Sequence, residues 1–317
     1  MSTAAFVPET YNLEGDDAVR TLRSTGLGQL ARDAFQRFRA ADGFTHARAL
    51  AWAITLTILP FVIAFVGFTS LLDQDRVSRA VVSEIERVAP GPASQIFSQA
   101  FRQGAKSAGG GSRAALLVGT VAALAAGTTA MGQVERGANR IYGVERDRPT
   151  IDKYRHGFVL AISSGVLIVL AMMLLVAGTT VAEALGLDDA LGAVWNLLRW
   201  PVGIALSVAS FALLFQRAPR RHQPDVSWLA FGSTLAVVLW LVFTALLAIY
   251  LTASSSFGET YGPLAGTIGV LLWAFLTSLA LYLGIAFAAQ LEAVRAGAPV
   301  PSTGEQLNPG RRVRGRR

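Results

Sequence analysis

VSWLAFGSTLAVVLWLVFTALLAIYL, residues Val226–Leu251, contains no Asp, Glu, Lys, Arg or His. A hydrocarbon core of about 30 Å is crossed by roughly 20 apolar residues of helix. An apolar run of this length fits the interior of a bilayer better than the core of an ordinary domain. Five other stretches meet or approach the same requirement: Ala49–Leu72, Ala114–Met131, Phe158–Ala182, Trp200–Phe215 and Tyr261–Leu291. The fourth of the six spans is short and opens on Trp200-Pro201, where proline suits a first helical turn. The sixth exceeds a perpendicular span and is expected to tilt or to begin outside the bilayer.

Composition agrees. Of 317 residues, 52% are hydrophobic and 15% charged, against about 25% charged in soluble domains. The net charge is +7, from 28 Lys+Arg and 21 Asp+Glu, and the placement of the basic residues gives an orientation. Summed over alternate sides of the six spans, Lys and Arg number 21 and 7. The basic side is expected to be cytoplasmic, which puts both termini there. The loop after the first span carries six basic residues on the other side, but long translocated loops count for less. Lysine occurs only at Lys106 and Lys153, which suggests a GC-rich genome, and the absence of cysteine excludes disulfides and thiolate chemistry. The first residues lack a basic start followed by an apolar stretch, so a cleaved signal peptide is not expected. The first span then acts as its own insertion signal.

The expected organisation is a cytoplasmic region over 1–47, a six-helix transmembrane domain over 48–292 with an external loop at 73–113, and a disordered basic tail over 293–317. Leu27, Leu30, Ala31, Ala34, Phe35 and Phe38 share one helical face, with Arg32, Arg37 and Arg39 elsewhere; such a helix suits an anionic membrane surface. In the external loop, Val77, Val81, Ile85 and Val88 form one stripe and Ile96, Phe97, Ala100 and Phe101 another. Pro90-Gly91-Pro92 separates them, and a helical hairpin is expected.

Almost no ionisable residue falls between the ends of the spans, which argues against a proton relay or ion-coupled pump. Glu135, Glu183 and Glu292, with His46, His156 and His222, sit at span boundaries, and neither a metal site nor a cofactor is expected. In the second span Ala115, Gly119, Ala123 and Gly127 recur every fourth residue, a stripe that admits another helix closely. Thr128 and Thr129 follow it as candidate polar lining, although such hydroxyls commonly bond back to their own helix. Pro60 is expected to bend the first span. Tyr261-Gly262-Pro263 opens the sixth as a packed start or a flexible external gate. The densest polar cluster, Glu135 to Arg148, interleaves both signs, a pattern for salt bridges among helix ends first and for headgroup contact second.

Three stretches together resemble the YihY/BrkB (also YhjD) family of bacterial envelope membrane proteins, formerly misnamed ribonuclease BN. They are Ala49–Phe65 with Leu59-Pro60-Phe61; Asn139-Arg140-Ile141-Tyr142-Gly143-Val144 on to Arg148-Pro149; and Tyr261-Gly262-Pro263-Leu264-Ala265-Gly266 leading to Trp273 and Leu283-Gly284. The resemblance implies six spans with cytoplasmic termini in the inner membrane, and a role in envelope integrity or lipid export. Relatives often carry an acidic residue soon after the glycine matching Gly284; here the run is Ile285-Ala286-Phe287, and a mechanism needing that carboxylate is not expected. A lipid or amphiphile transporter is the leading expectation, with Pro60 as bend, Thr128 and Thr129 as groove polarity, Arg140 and Tyr142 as cytoplasmic contacts, and Tyr261 and Gly262 as outer gate. The alternative is a non-transporting envelope scaffold with homo-oligomeric or envelope-protein partners. Membrane lipids are expected partners and nucleic acid is not. A ribonuclease generally needs clustered carboxylates or histidines for its metal ions, and the sequence shows no such cluster.

Overall fold

The computed structural model describes residues 3–72, 112–175, 189–253 and 264–303. Among these, eight helices follow one another: α1 (Gly15–Thr25), α2 (Leu27–Ala40), α3 (Gly43–Leu72), α4 (Ser112–Ile141), α5 (Thr150–Leu175), α6 (Asp189–Arg217), α7 (Val226–Ala253) and α8 (Ala265–Arg295). The last six are long and apolar enough to cross a membrane, so the chain is an all-α, multi-pass membrane protein. The expected external hairpin lies outside the described residues.

The helices overrun the spans read from hydropathy, because charge ends an apolar window without ending a helix. The second span was expected to close at Met131, but α4 continues to Ile141 and carries Glu135, Arg136, Asn139 and Arg140 on its last turns. At 30 residues it is about 45 Å long. The fourth span was expected to open at Trp200-Pro201; α6 instead begins at Asp189 and holds Pro201 in its interior. The apolar run extends upstream through Leu191, Val194, Leu197 and Leu198, and bilayer helices tolerate a proline's missing donor. Arg199 then stands eighteen residues before Arg217, about 27 Å along the axis. Its guanidinium lies 5.8 Å from the Trp200 ring centroid, and the separation approximates the thickness of the hydrocarbon core.

The six spans form a closed circuit, α3 on α4, α4 on α5, α5 on α6, α6 on α7, α7 on α8 and α8 back on α3. The sixth span is the hub: 61% of the most apolar stretch of α8 is buried, against 22–33% in the others. Lipid tails are as apolar as leucine, so helices associate there by close packing and small residues mark the contacts. Gly232 of α7 and Gly284 of α8 face each other; a Cβ on Gly284 would lie 2.6 Å from the Gly232 carbonyl oxygen and 2.6 Å from the Ala236 Cβ. Gly119 of α4 meets the α3 backbone, with its virtual Cβ 2.6 Å from the Ala64 nitrogen. A Cβ on Gly157 of α5 would lie 3.0 Å from the Thr128 carbonyl oxygen.

The first and last described residues meet at one end of the bundle, called here the terminal face. Asp16 and Asp17 sit in the first turn of α1 and Arg23 in its last, complementing the helix dipole. Gly26, at φ 83°, ends α1 in a conformation other residues resist and turns the chain into α2. The segment expected to be disordered from 293 differs: α8 runs to Arg295, Gly297 turns the chain at φ 73°, and the next residues pair with the N-terminus. Ala5 N–H donates to Pro301 O at 3.1 Å and Thr303 N–H to Thr3 O at 2.9 Å. A single bridge to the N-terminal segment, which composition could not reveal, holds residues 301–303; residues 304–317 lie outside the described residues.

Ala4 and Ser302 form the antiparallel bridge between these two hydrogen bonds, a pairing that places side chains close together. Because the native chain has no cysteine, Ala4→Cys/Ser302→Cys is expected to form one intrachain disulfide under mild oxidation. Proteolysis followed by non-reducing electrophoresis checks it, and fragments that separate without reductant would refute the pairing.

Candidate functional site

The terminal face is closed by a buried clasp. Arg221, in the loop after α6, and Glu292, on the last turns of α8, form an ion pair whose side chains are 1% and 0% exposed. Arg221 donates to the two carboxylate oxygens at 2.7 and 2.8 Å and to Pro8 O at 3.1 Å; Thr10 Oγ1 donates to Glu292 at 2.7 Å. The guanidinium lies 4.5 Å from the Tyr142 ring centroid. Burial alone would lower the Arg221 pKa, but the hydrogen-bonded Glu292 and the surrounding anionic groups outweigh it and raise it. Burial pushes the Tyr142 phenol well above its ordinary value.

Arg37 anchors the other side of the clasp. It is fully buried and binds neutral acceptors: Gln290 Oε1 at 2.8 Å, Ala5 O at 2.7 Å, Ile141 O at 3.3 Å and Val300 O at 3.5 Å. One side chain thus ties α8, the N-terminus, the end of α4 and the C-terminal segment together. Desolvation lowers its pKa to about 10, so it stays charged at neutral pH. The sequence reading set Arg37 apart from the apolar stripe of α2, yet it follows Leu30 by seven residues and lies on nearly the same line along the helix. That spacing was the available signal. Leu30, Ala34 and Phe38 pack inward with it, while Leu27 and Phe35 remain exposed, so the stripe is shared between protein and surroundings.

The interleaved charges on the last turns of α4 and in the loop that follows form salt bridges and loop caps. Glu135, 2% exposed, pairs with Arg148 at 3.2 Å and accepts the Arg148 backbone N–H at 3.0 Å. The Arg148 guanidinium also donates to the carbonyls of Ala218, Pro219 and Arg217 at 2.8, 3.1 and 3.4 Å. Asn139 joins Asp147 at 2.9 Å to the Arg220 backbone N–H at 2.7 Å. These bonds fasten the end of α6 to α4 and to the start of α5.

Beside this fastening, a groove of about 670 Å³ opens between α5 and α6. Arg148, Arg155, Arg217, Arg220, Asp152 and His156 lie toward its rim; Val159, Leu160, Leu213 and Ser163 continue into the span. His156 Nε2 donates to Arg217 O at 2.6 Å. About 10 Å below Arg217, seven residues of helix, Ser210 Oγ donates to Ser164 O at 3.1 Å and joins the two helices. Four arginines against one Asp152 make the groove cationic at its mouth, and Val159, Leu160 and Leu213 make it apolar along its wall. Among the described residues, no three His, Asp or Glu side chains gather as a metal-ligand set.

Among the described residues, none of those expected from sequence to form the path, the gate or the packing stripe lines this groove. Pro60 is half-buried within a helix that continues through it. Thr128 and Thr129 donate to the carbonyls of Leu124 and Ala125 at 2.6 and 3.0 Å, so their hydroxyls serve their own helix. Arg140 donates to Val144 O and Glu145 O at 3.0 and 2.6 Å, closing the turn after α4. Tyr142 is 0% exposed, and Gly143 beside it takes φ 73° while its virtual Cβ would sit 2.7 Å from the Phe6 Cα. Both properties favour glycine within the Asn139–Val144 stretch. Gly119 faces α3 and Gly127 faces Ala161 of α5; Ala123 is half-buried, and the side chain of Ala115 lies outside the described residues, as do Tyr261 and Gly262. Arg155, Arg217 and Arg220 escaped notice because the groove joins segments about 60 residues apart.

The resemblance carried by three stretches extends over about four fifths of the chain in relatives. The chain is 25% identical over 257 residues to the ribonuclease-like protein YfkH of Bacillus subtilis, covering 80% of this chain and 91% of that one. It is 26% identical over 273 residues to a UPF0761 membrane protein of Chromohalobacter salexigens, covering 82% of this chain and 62% of that longer one. No solved structure matches it. The match to the family described as Virulence factor BrkB spans residues 34–306, from the buried half of α2 through all six spans to the C-terminal segment of the clasp, and the chain belongs to that membrane-protein family.

Proposed function

We propose that the protein binds a lipid or other amphiphile of the bacterial plasma membrane and moves it between leaflets, with both termini in the cytoplasm. The observation that carries this reading is the groove between α5 and α6, whose cationic rim and apolar wall match the two halves of an amphiphile. Such a molecule keeps its tail in the bilayer while its headgroup crosses, so an ionisable group at mid-membrane is not required. The basic residues counted from the sequence concentrate on the side of the termini, which supports the cytoplasmic assignment. Pro60 as a bend and Tyr261-Gly262 as an outer gate belong to the same reading.

Reconstitution into vesicles carrying fluorescent lipids tests it. Exchange of label between leaflets above protein-free vesicles is the expected result, read by quenching of the outer leaflet. Unchanged asymmetry for anionic, zwitterionic and neutral headgroups alike would overturn transport. A scaffold role is the second reading, favoured by Leu27, Phe35 and Phe44, which are 62%, 44% and 42% exposed beside the ordered terminal face. Recovery of a defined envelope-protein partner in the absence of lipid exchange would support it.

A further inference from the structure

We infer that the groove between α5 and α6 is a binding site for an anionic, phosphate-bearing lipid, held at its headgroup by Arg217 and Arg220. This rests on the amphiphile reading of the same groove and names the chemistry that the groove selects. Four arginines line it, and they are not equivalent. Arg148 is committed, since it bonds Glu135 and three carbonyls. Arg155 has Asp152 at 3.5 Å, in an exposed pair. Arg220 gives one bond to Asp147 O at 2.8 Å, and Arg217 is among the residues that line the cavity. Among the described residues, no carboxylate lies within ion-pair distance of Arg217 or Arg220.

Two guanidinium groups that have no ion-pair partner among the described residues, at the mouth of one cleft, call for an anion, and their planar donors suit phosphate oxygens. The wall below decides what kind of anion. Val159 and Leu213 descend from the rim, and Val159 is 55% exposed, on a helix long and apolar enough to cross the bilayer. A soluble phosphate would leave that wall uncovered, whereas a lipid phosphate brings acyl chains to it. The volume of about 670 Å³ is in the range of small-molecule sites. The charged lining residues all lie on the rim side of Val159 and Leu213, which suits a phosphate and glycerol at the rim with chains leaving along α5.

Native mass spectrometry of the full chain in detergent, titrated separately with phosphatidylglycerol, phosphatidylcholine and glycerol phosphate, tests the inference. Phosphatidylglycerol is expected to be retained and phosphatidylcholine at least ten-fold less. Arg217→Gln and Arg220→Gln are each expected to weaken phosphatidylglycerol about five-fold, as a basic group near an anionic surface does. Arg23→Gln, on the exposed end of α1 at the same face, is expected to leave binding unchanged. Arg217→Gln removes no hydrogen bond or ion pair of its own side chain among the described residues, so it separates loss of binding from loss of structure. Equal retention of phosphatidylcholine would overturn headgroup selection. Unchanged affinity in the double variant would overturn the site, and glycerol phosphate binding as tightly as the lipid would replace it by a soluble-anion site. Retention without lipid exchange in vesicles leaves this site standing and removes the transport reading; exchange that ignores both arginines does the reverse.

Discussion

Arg221→Met is expected to destabilise the protein by about 3–5 kcal/mol, the cost of leaving one member of a buried ion pair uncompensated. Glu292 is fully buried, and without Arg221 its carboxylate keeps Thr10 as a side-chain partner. One hydroxyl does not replace a bidentate guanidinium. The loss also frees the N-terminus, because Arg221 holds Pro8 O. Size-exclusion thermostability in detergent should show a large fall in melting temperature. The double variant Arg221→Met/Glu292→Leu is expected to recover most of it, since a packed apolar pair often matches a buried salt bridge. A loss below about 1 kcal/mol in the single variant, the range of exposed ion pairs, would mean that water reaches the pair and the clasp is not closed.

Gly284→Val is expected to cost about 3 kcal/mol or more, at the upper end of overpacking effects. The neighbours of the virtual Cβ are the Gly232 carbonyl oxygen, the Ala236 Cβ and the Phe215 ring, at 2.6, 2.6 and 3.0 Å. The first two are backbone or bound tightly to it, and no flexible side-chain end can move aside. Relief requires α7 and α8 to separate, and α8 is the helix on which the bundle is centred. Gly165→Ala, whose Cβ meets nothing within 4 Å, is the control and should be nearly neutral. Equal thermal stability of Gly284→Val and the native chain would show that α7 and α8 do not approach as closely as described.

Resemblance of Gly284 to a family position marked the residue without its reason, and geometry supplies that reason. The stripe Ala115, Gly119, Ala123 and Gly127 was legible as a packing surface, but a four-residue spacing drifts around a helix with 3.6 residues per turn. Gly119 accordingly meets α3 and Gly127 meets α5. The charge cluster from Glu135 to Arg148 was legible as ion pairing because opposite signs alternate. Its partner carbonyls at Ala218 and Pro219 were not, since backbone acceptors carry no sequence signature. Arg221 and Glu292 were likewise unreadable as a pair, because 71 residues separate them and no local pattern links a loop arginine to a helix-end glutamate.

By itself the sequence determined the class of molecule and the number of spans. A bilayer leaves a helix no alternative but to bond its own backbone and show apolar side chains, and both requirements are local. Tertiary structure alone decided which of the scattered charges are spent on holding the fold and which remain at a groove. That division depends on distances between segments remote in the chain. Arg37, Arg148 and Arg221 are consumed by carboxylates and carbonyls brought to them by packing, whereas Arg217 and Arg220 meet no carboxylate where α5 and α6 part.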